Sequence, residues 1–148
     1  MTLRIRPALP DDRARVELLV AAEQLPLQGL DEHFADFLVA EIDGEVAAAA
    51  GIERHEQYAL LRSVVVAPTY RGQRVAEQLV RAHIEAATRH KTRALYLLTM
   101  TAEAYFVRLG FELIDRELVP PVVKRSPEFV SACPASAHAM ALTLVSEL

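Results

Sequence analysis

The stretch Leu61-Arg62-Ser63-Val64-Val65-Val66-Ala67-Pro68-Thr69-Tyr70-Arg71-Gly72-Gln73-Arg74-Val75-Ala76 decides how this chain folds. Three β-branched residues, Val64 to Val66, read as a buried strand that Pro68 stops. A short polar turn holding Gly72 follows, and then a helix is predicted over residues 73–89. Its apolar stripe is Val75/Ala76, Leu79/Val80, His83/Ile84 and Ala87, with the charges mainly on the other side. A helix N-terminus leaves about four backbone N–H groups unpartnered and is partly positive, so a pyrophosphate fits there. Candidate binding positions are Arg71, Gly72, Gln73, Arg74, Val75, Ala76 and Glu77. A strand-to-helix turn with one glycine is, by itself, equally well a plain connection.

Outward from this segment the pattern alternates strand and helix. Residues 3–5 read as an edge strand, and Pro10-Asp11-Asp12 opens a helix with acidic residues in its first turn. Residues 37–42 and 45–53, joined by Asp43-Gly44, read as a hairpin. Residues 58–67 and 94–99 are further strands. A short helix over 102–109 ends at Gly110, placed for a left-handed cap. Extended structure is expected over 111–114, residues 116–136 are irregular, and 138–144 close the fold as a strand. The expectation is one domain over residues 1–148: an α/β (α+β) fold with a mixed, mostly antiparallel central sheet of six to seven strands and helices on both faces.

Composition sets limits. About half the residues are hydrophobic and a quarter charged, an ordinary globular balance. No apolar run reaches the ~18 residues of a membrane span and no signal segment is visible, so the reading is a cytoplasmic protein. The net charge of −4 makes nucleic acid an unexpected partner. Within it, Arg62, Arg71, Arg74, Arg81, Arg89, Lys91 and Arg93 outweigh Glu77 and Glu85, leaving a local +5 in a chain that is −9 elsewhere. Such a region attracts a small polyanion or is simply a solvated face. Cys133, the single cysteine, excludes an internal disulfide framework and reads as a buried structural thiol. The five histidines show no metal-ligand spacing, so no metal site is expected; His83 continues the helical stripe as a core-edge residue.

The turn from Arg71 to Ala76 resembles the acyl-CoA signature of the GNAT N-acetyltransferase superfamily, Arg/Gln-x-x-Gly-x-Gly/Ala. Two more features resemble the superfamily in order and spacing: the apolar strand 94–99, and Ala104-Tyr105-Phe106-Val107-Arg108-Leu109-Gly110-Phe111. The resemblance implies acetyl-CoA as cofactor and a small-molecule amine as acceptor. It places Phe106 at the coenzyme and the backbone N–H groups of Val64, Val65 and Val66 beside the thioester oxygen, where they polarise it. Two departures stand out. The central glycine of the signature is Arg74, which is tolerable only if the turn keeps ordinary φ there. The superfamily's tyrosine, four residues before the Gly-Phe glycine, is Phe106. Tyr105 is one residue earlier, a rotation of about 100° on a helix, and is expected to point elsewhere.

Ile5-Arg6-Pro7-Ala8, Leu60 to Ser63, Leu95 to Thr99 and the tail around Glu128-Phe129 resemble acetyltransferases associated with arsenic resistance. That group resembles enzymes acetylating the α-amine of arsinothricin and phosphinothricin, and is similar to the acetyltransferase domain of N-acetylglutamate synthases. The latter have a glutamate at the start of the fourth strand, where this chain has Leu60. Glu53 is then the candidate base, with Thr99 the other candidate catalytic group. Arg62, in an apolar strand, either pairs with a carboxylate such as Glu53 or meets an acidic ligand together with Ser63 and Ser136. Lys124 and Arg125 are candidates for a second anion contact. Other small amines stay open as acceptors. So does a different class of function, a non-catalytic acyl-CoA or amino-acid sensor, favoured by Phe106, Arg74 and Leu60. A homodimer paired through the apolar closing strand is a further expectation.

Overall fold

The computed structural model describes residues 2–132 and 134–145. Seven strands, β1 (Leu3–Pro7), β2 (Leu38–Ile42), β3 (Glu45–His55), β4 (Tyr58–Val66), β5 (Ala94–Thr99), β6 (Glu112–Ile114) and β7 (His138–Thr143), form one sheet in the order β1-β2-β3-β4-β5-β7-β6. All neighbours run antiparallel except β4 and β5. The helices are α1 (Arg13–Ala22), α2 (Leu30–His33), α3 (Val75–Arg89), α4 (Glu103–Arg108) and α5 (Pro121–Lys124). Asp43 and Gly44, both at positive φ, make the tight turn between β2 and β3.

Alternation along β3 and β4 assigns the faces. Val65 and its partner Ala49 pack with Val16, Leu19 and Val20 of α1. Val66 and its partner Ala48 face the other way, onto Val75 and Leu79 of α3. Helix α3 also buries Val80, His83 and Ala87. Each fully buried Val or Leu contributes roughly 1.5–3 kcal/mol, so packing rather than intrinsic propensity holds this helix. His83 hydrogen-bonds the Ala50 carbonyl at 2.7 Å, and its burial lowers its pKa.

Three expectations need correction. Helix α3 begins at Val75, two residues later than expected, because Arg74 sits in the left-handed region at φ 61°. The region expected to be irregular contains α5 and a π-helical turn, Glu128–Ala132; Val123 of α5 and the preceding Val119 cover Leu60 and Tyr96. The closing strand is not the edge of the sheet: β7 is paired with β5 along its length on one side and with β6 at Ala139 to Ala141 on the other. Cys133 lies outside the described residues. Among the described residues, no helix is long and apolar enough to cross a membrane.

Candidate active site

The parallel ladder between β4 and β5 covers only Tyr58 to Leu60 against Ala94 to Tyr96. Beyond it the strands part. A β-bulge drives the separation: Ser63 and Val64 together oppose Ala50, and Ser63 takes a left-handed φ of 56°. An extra residue in one strand bends it and raises its twist, which turns β4 away from β5. β5 meanwhile stays paired with β7 along its whole length. The gap is a cleft of about 1270 Å³, with Arg62 to Val66 on one bank and Leu97 to Met100 on the other.

At one mouth stands the N-terminus of α3. The helical ladder starts with Gln78 N–H donating to the Arg74 carbonyl, so the amides of Val75, Ala76 and Glu77 precede it. Gly72, Arg74, Val75, Ala76 and Glu77 all border the cleft; Gln73 does not. A Cβ placed on Gly72, at φ 79°, would meet nothing within 4 Å, so open space adjoins its backbone. These amides, this space and the positive helix end suit a diphosphate, and the fit to the coenzyme implied by the sequence is chemical as well as positional. Arg74 was expected to need ordinary φ. It instead holds the left-handed turn itself, at a cost of about 1–2 kcal/mol for a residue with a Cβ. Arg71 is held by an ion pair with Glu23 and donates Nε–H to the Val66 carbonyl.

The wall from α4 holds Phe106, buried and edge-on to both Tyr105 and Phe111. Tyr105 packs edge-on beside Phe106 in the same wall. It borders the cleft with a buried hydroxyl that has no hydrogen-bond partner among the described residues. Burial, with help from Glu77, raises its pKa against Arg108 and Arg81.

The other mouth lies on the α1 and α5 face, among Leu25, Pro26, Arg62, Ser63, Glu128, Pro134 and Ala137. Of the two alternatives for Arg62, the internal pairing is present: its guanidinium is fully enclosed and bound by the protein. Nη1 donates to Glu53 Oε2 and the Gln28 carbonyl, each at 2.6 Å, Nη2 to the Pro26 carbonyl at 3.0 Å, and Nε to Ser63 Oγ at 3.1 Å. Gly29 permits this approach, since a Cβ there would lie 2.8 Å from Nη1. Nε also stands 3.3 Å from Glu128 Oε2.

Glu53 is neither a solvated hairpin edge nor a group bordering the cleft. It is fully buried behind Arg62. Burial alone would raise its pKa, but hydrogen bonds from His55, Arg62 and Ser126 and the Arg62 charge hold it below the usual carboxylate range. A carboxylate so engaged is a poor base for an amine in the cleft. Folding also gathers His33, Glu53 and His55, with one ligand-type atom from each within 4.8 Å of the others, a proximity their spacing in the chain conceals. The 2.8 Å bond between His55 Nε2 and Glu53 Oε1 and the Arg62 ion pair account for this arrangement.

Thr99 borders the cleft and its Oγ1 accepts from the Ala102 amide, fixing the turn into α4. Ser136 is exposed and does not border the cleft; its hydroxyl lies 3.9 Å from Met100 Sδ. Lys124 reaches the Glu117 carbonyl, and neither it nor Arg125 lines the cleft. The residue that the sequence left unassigned is Glu128. Its only local signal was a carboxylate following Pro127 in a proline-rich segment.

Compared with known proteins, the acetyltransferase (GNAT) domain family model matches residues 33–113. No curated protein matches the sequence. Among solved structures, N-acetylglutamate synthase from Neisseria gonorrhoeae complexed with coenzyme A and N-acetyl-glutamate is similar over 99% of this chain, with a TM-score of 0.85 and 19% identity. The chain spans only 36% of that protein's length. Rv2747 from Mycobacterium tuberculosis, in complex with CoA and NLQ, is similar over 96% of this chain and 99% of its own, with a TM-score of 0.82 and 22% identity. An acetyltransferase of the GNAT family from Staphylococcus aureus covers 97% of this chain and 100% of its own, with a TM-score of 0.79 and 14% identity. At these identities the likeness is one of fold.

Proposed function

The chain belongs to the GNAT acetyltransferase domain family, and on that premise we propose that it moves an acetyl group from acetyl-CoA to the α-amine of a small amino acid. Residues 1–148 act as one such domain. The observation that carries this reading is the cleft that passes between β4 and β5. It is lined at one mouth by the free amides of α3 and opens at the other beside buried polar side chains. The two mouths lie on opposite faces of the sheet, so a thioester donor and an amine reach the same gap from different sides. The bound molecules of the similar structures, coenzyme A with N-acetyl-glutamate or with NLQ, support both halves of the proposal.

Gly72, Arg74, Val75, Ala76 and Glu77 hold the coenzyme's diphosphate, and Phe106 packs along its arm. The coenzyme supplies an activated acyl group. The β4 edge at Val64 to Val66 faces the cleft and orients the thioester carbonyl toward an N–H donor. An α-amine titrates near ~8, so making the neutral form at pH 7 costs only about 1.4 kcal/mol. Positioning the amine against the carbonyl therefore accounts for much of the acceleration.

Acidic amino acids of the glutamate type, including arsinothricin and phosphinothricin, are the acceptor class to try first. With Arg62 saturated, such an acceptor's carboxylate draws on Arg62 only by displacing an existing bond, so the α-amine is the dominant recognition element. Thiol release from acetyl-CoA with glutamate, phosphinothricin and spermidine tests the reading. Release with an α-amino acid is expected. Calorimetric binding of acetyl-CoA without turnover on any amine would replace the catalyst with the sensor.

A further inference from the structure

Glu128 occupies a place that neither Glu53 nor any other carboxylate of the cleft fills. It opens the π-helical turn after Pro127, is 4% exposed, and lies on the cleft wall at the mouth away from the α3 amides. Its frame is rigid. The Glu128 amide donates to Ser126 Oγ at 3.2 Å, Ser126 is bonded in turn to Glu53, and Arg62 Nε stands 3.3 Å from Glu128 Oε2. Among the described residues the other carboxylates bordering the cleft are Glu23 and Glu77, both of them more exposed than Glu128 and standing by the α3 mouth with Arg71 and Arg81. Among the described residues, an amine entering from the α1 and α5 face thus meets one buried carboxylate on the cleft wall.

Resting on the acyl-transfer reading above, we propose that Glu128 is the general base, binding the acceptor's ammonium at this mouth and taking its proton. Glu128 removes one proton from the ammonium, leaving the nitrogen lone pair to form the C–N bond with the acetyl carbonyl carbon. The C–S bond breaks, its electron pair leaves on the coenzyme thiolate, and the nitrogen's surplus proton passes to that sulfur. Glu128 then returns its own proton to solvent. The products are the acetamide, free thiol and one proton.

The surroundings suit the role. The charged groups facing Glu128 are Arg62 of β4 and Glu53 of β3, with His33 and His55 beyond Glu53. Burial pushes the Glu128 carboxyl up to about 7, Arg62 opposing the rise and the Glu53 charge adding to it. A base works best when its pKa lies near the working pH.

The test compares wild type with Glu128→Gln, using whichever of glutamate, phosphinothricin or spermidine the wild type acetylates, while calorimetry follows acetyl-CoA binding. Glu128→Gln is expected to bind acetyl-CoA like wild type and to lose about 10-fold in kcat/KM at pH 7, the handicap of waiting for the neutral amine. Wild-type kcat/KM should rise through about pH 7 and level off. The variant should climb until the amine itself titrates, so its deficit shrinks with pH. Hydroxylamine, already neutral at pH 7, should restore its rate relative to wild type. Undiminished turnover by Glu128→Gln, or a deficit that is constant with pH, overturns the assignment while leaving the acetyltransferase reading intact. Absence of turnover by the wild type sinks that reading and this one with it. Should Glu128→Gln fail to fold, Glu128→Asp and the wild-type profile carry the test: a profile that follows only the amine's own titration overturns the proposal.

Discussion

The two mouths of the cleft are built from different materials. The α3 mouth is made of backbone: free amides, a glycine beside open space, and exposed arginines whose ion pairs are largely solvated. The opposite mouth is made of buried side chains: Arg62 and Glu128 line it, and Glu53 and Ser126 back them from outside the cleft. A surface ion pair contributes at most about 1 kcal/mol, whereas breaking a buried one leaves a stranded charge. One mouth can therefore vary its side chains at little cost, and the other cannot.

The largest effect should come from removing Arg62. Arg62→Ala strands Glu53 and should lower unfolding free energy by about 3–5 kcal/mol in urea titrations. Arg71→Ala, at the other mouth, should cost no more than about 1 kcal/mol. Equal losses from the two would erase the contrast.

The second effect is one of pH. Between pH 4.5, the ordinary value, and about 7, the folded chain keeps a proton on Glu128 that the unfolded chain has released. Stability from this group therefore falls as pH rises through that window, by about 3 kcal/mol in all. Glu53 has the opposite sign: its contribution is present above the unfolded value and is lost as pH falls through its lowered pKa. Glu128→Gln should remove the first slope and leave the second, so its stability relative to wild type should grow from pH 5 to 7.5 in denaturant melts.

Between the mouths, Tyr105→Phe should raise the stability of the coenzyme-free protein by about 1 kcal/mol, because it removes a buried hydroxyl without a partner. A loss measured by thermal melts would mean that the hydroxyl is bonded in solution. The smallest change in stability is expected for Arg74→Gly. Relief of the left-handed strain is offset by glycine's greater unfolded entropy, for a net change within about 1 kcal/mol. On the proposed placement of the diphosphate at this turn, acetyl-CoA should nevertheless bind several-fold more weakly and with less salt dependence in calorimetry, since a neighbouring cation is gone.

Legibility in the sequence follows the same division. Val64 to Val66, Gly72, Ala76 and the stripe of α3 announce a strand, a turn and a helix through local rules of period and φ. The hairpin at Asp43-Gly44 was readable for the same reason. The start of α3 was misplaced by two residues because Arg74 occupies a conformation that its residue type disfavours. What surrounds the Tyr105 hydroxyl depends on how α4 is rotated against β5 and α3, and helical spacing alone does not fix that rotation.

The chain by itself determined the order of elements, the buried faces and the amides of the α3 mouth, since these depend on neighbours within a few residues. Only the folded structure decided what surrounds Arg62. Its partners come from Pro26, Gln28, Glu53 and Glu128, separated widely along the chain and joined by the sheet and the segments packed on it. Desolvation and charge pairing act through space, so the buried state of Glu53 and the raised pKa of Glu128 exist only once those segments have closed over them.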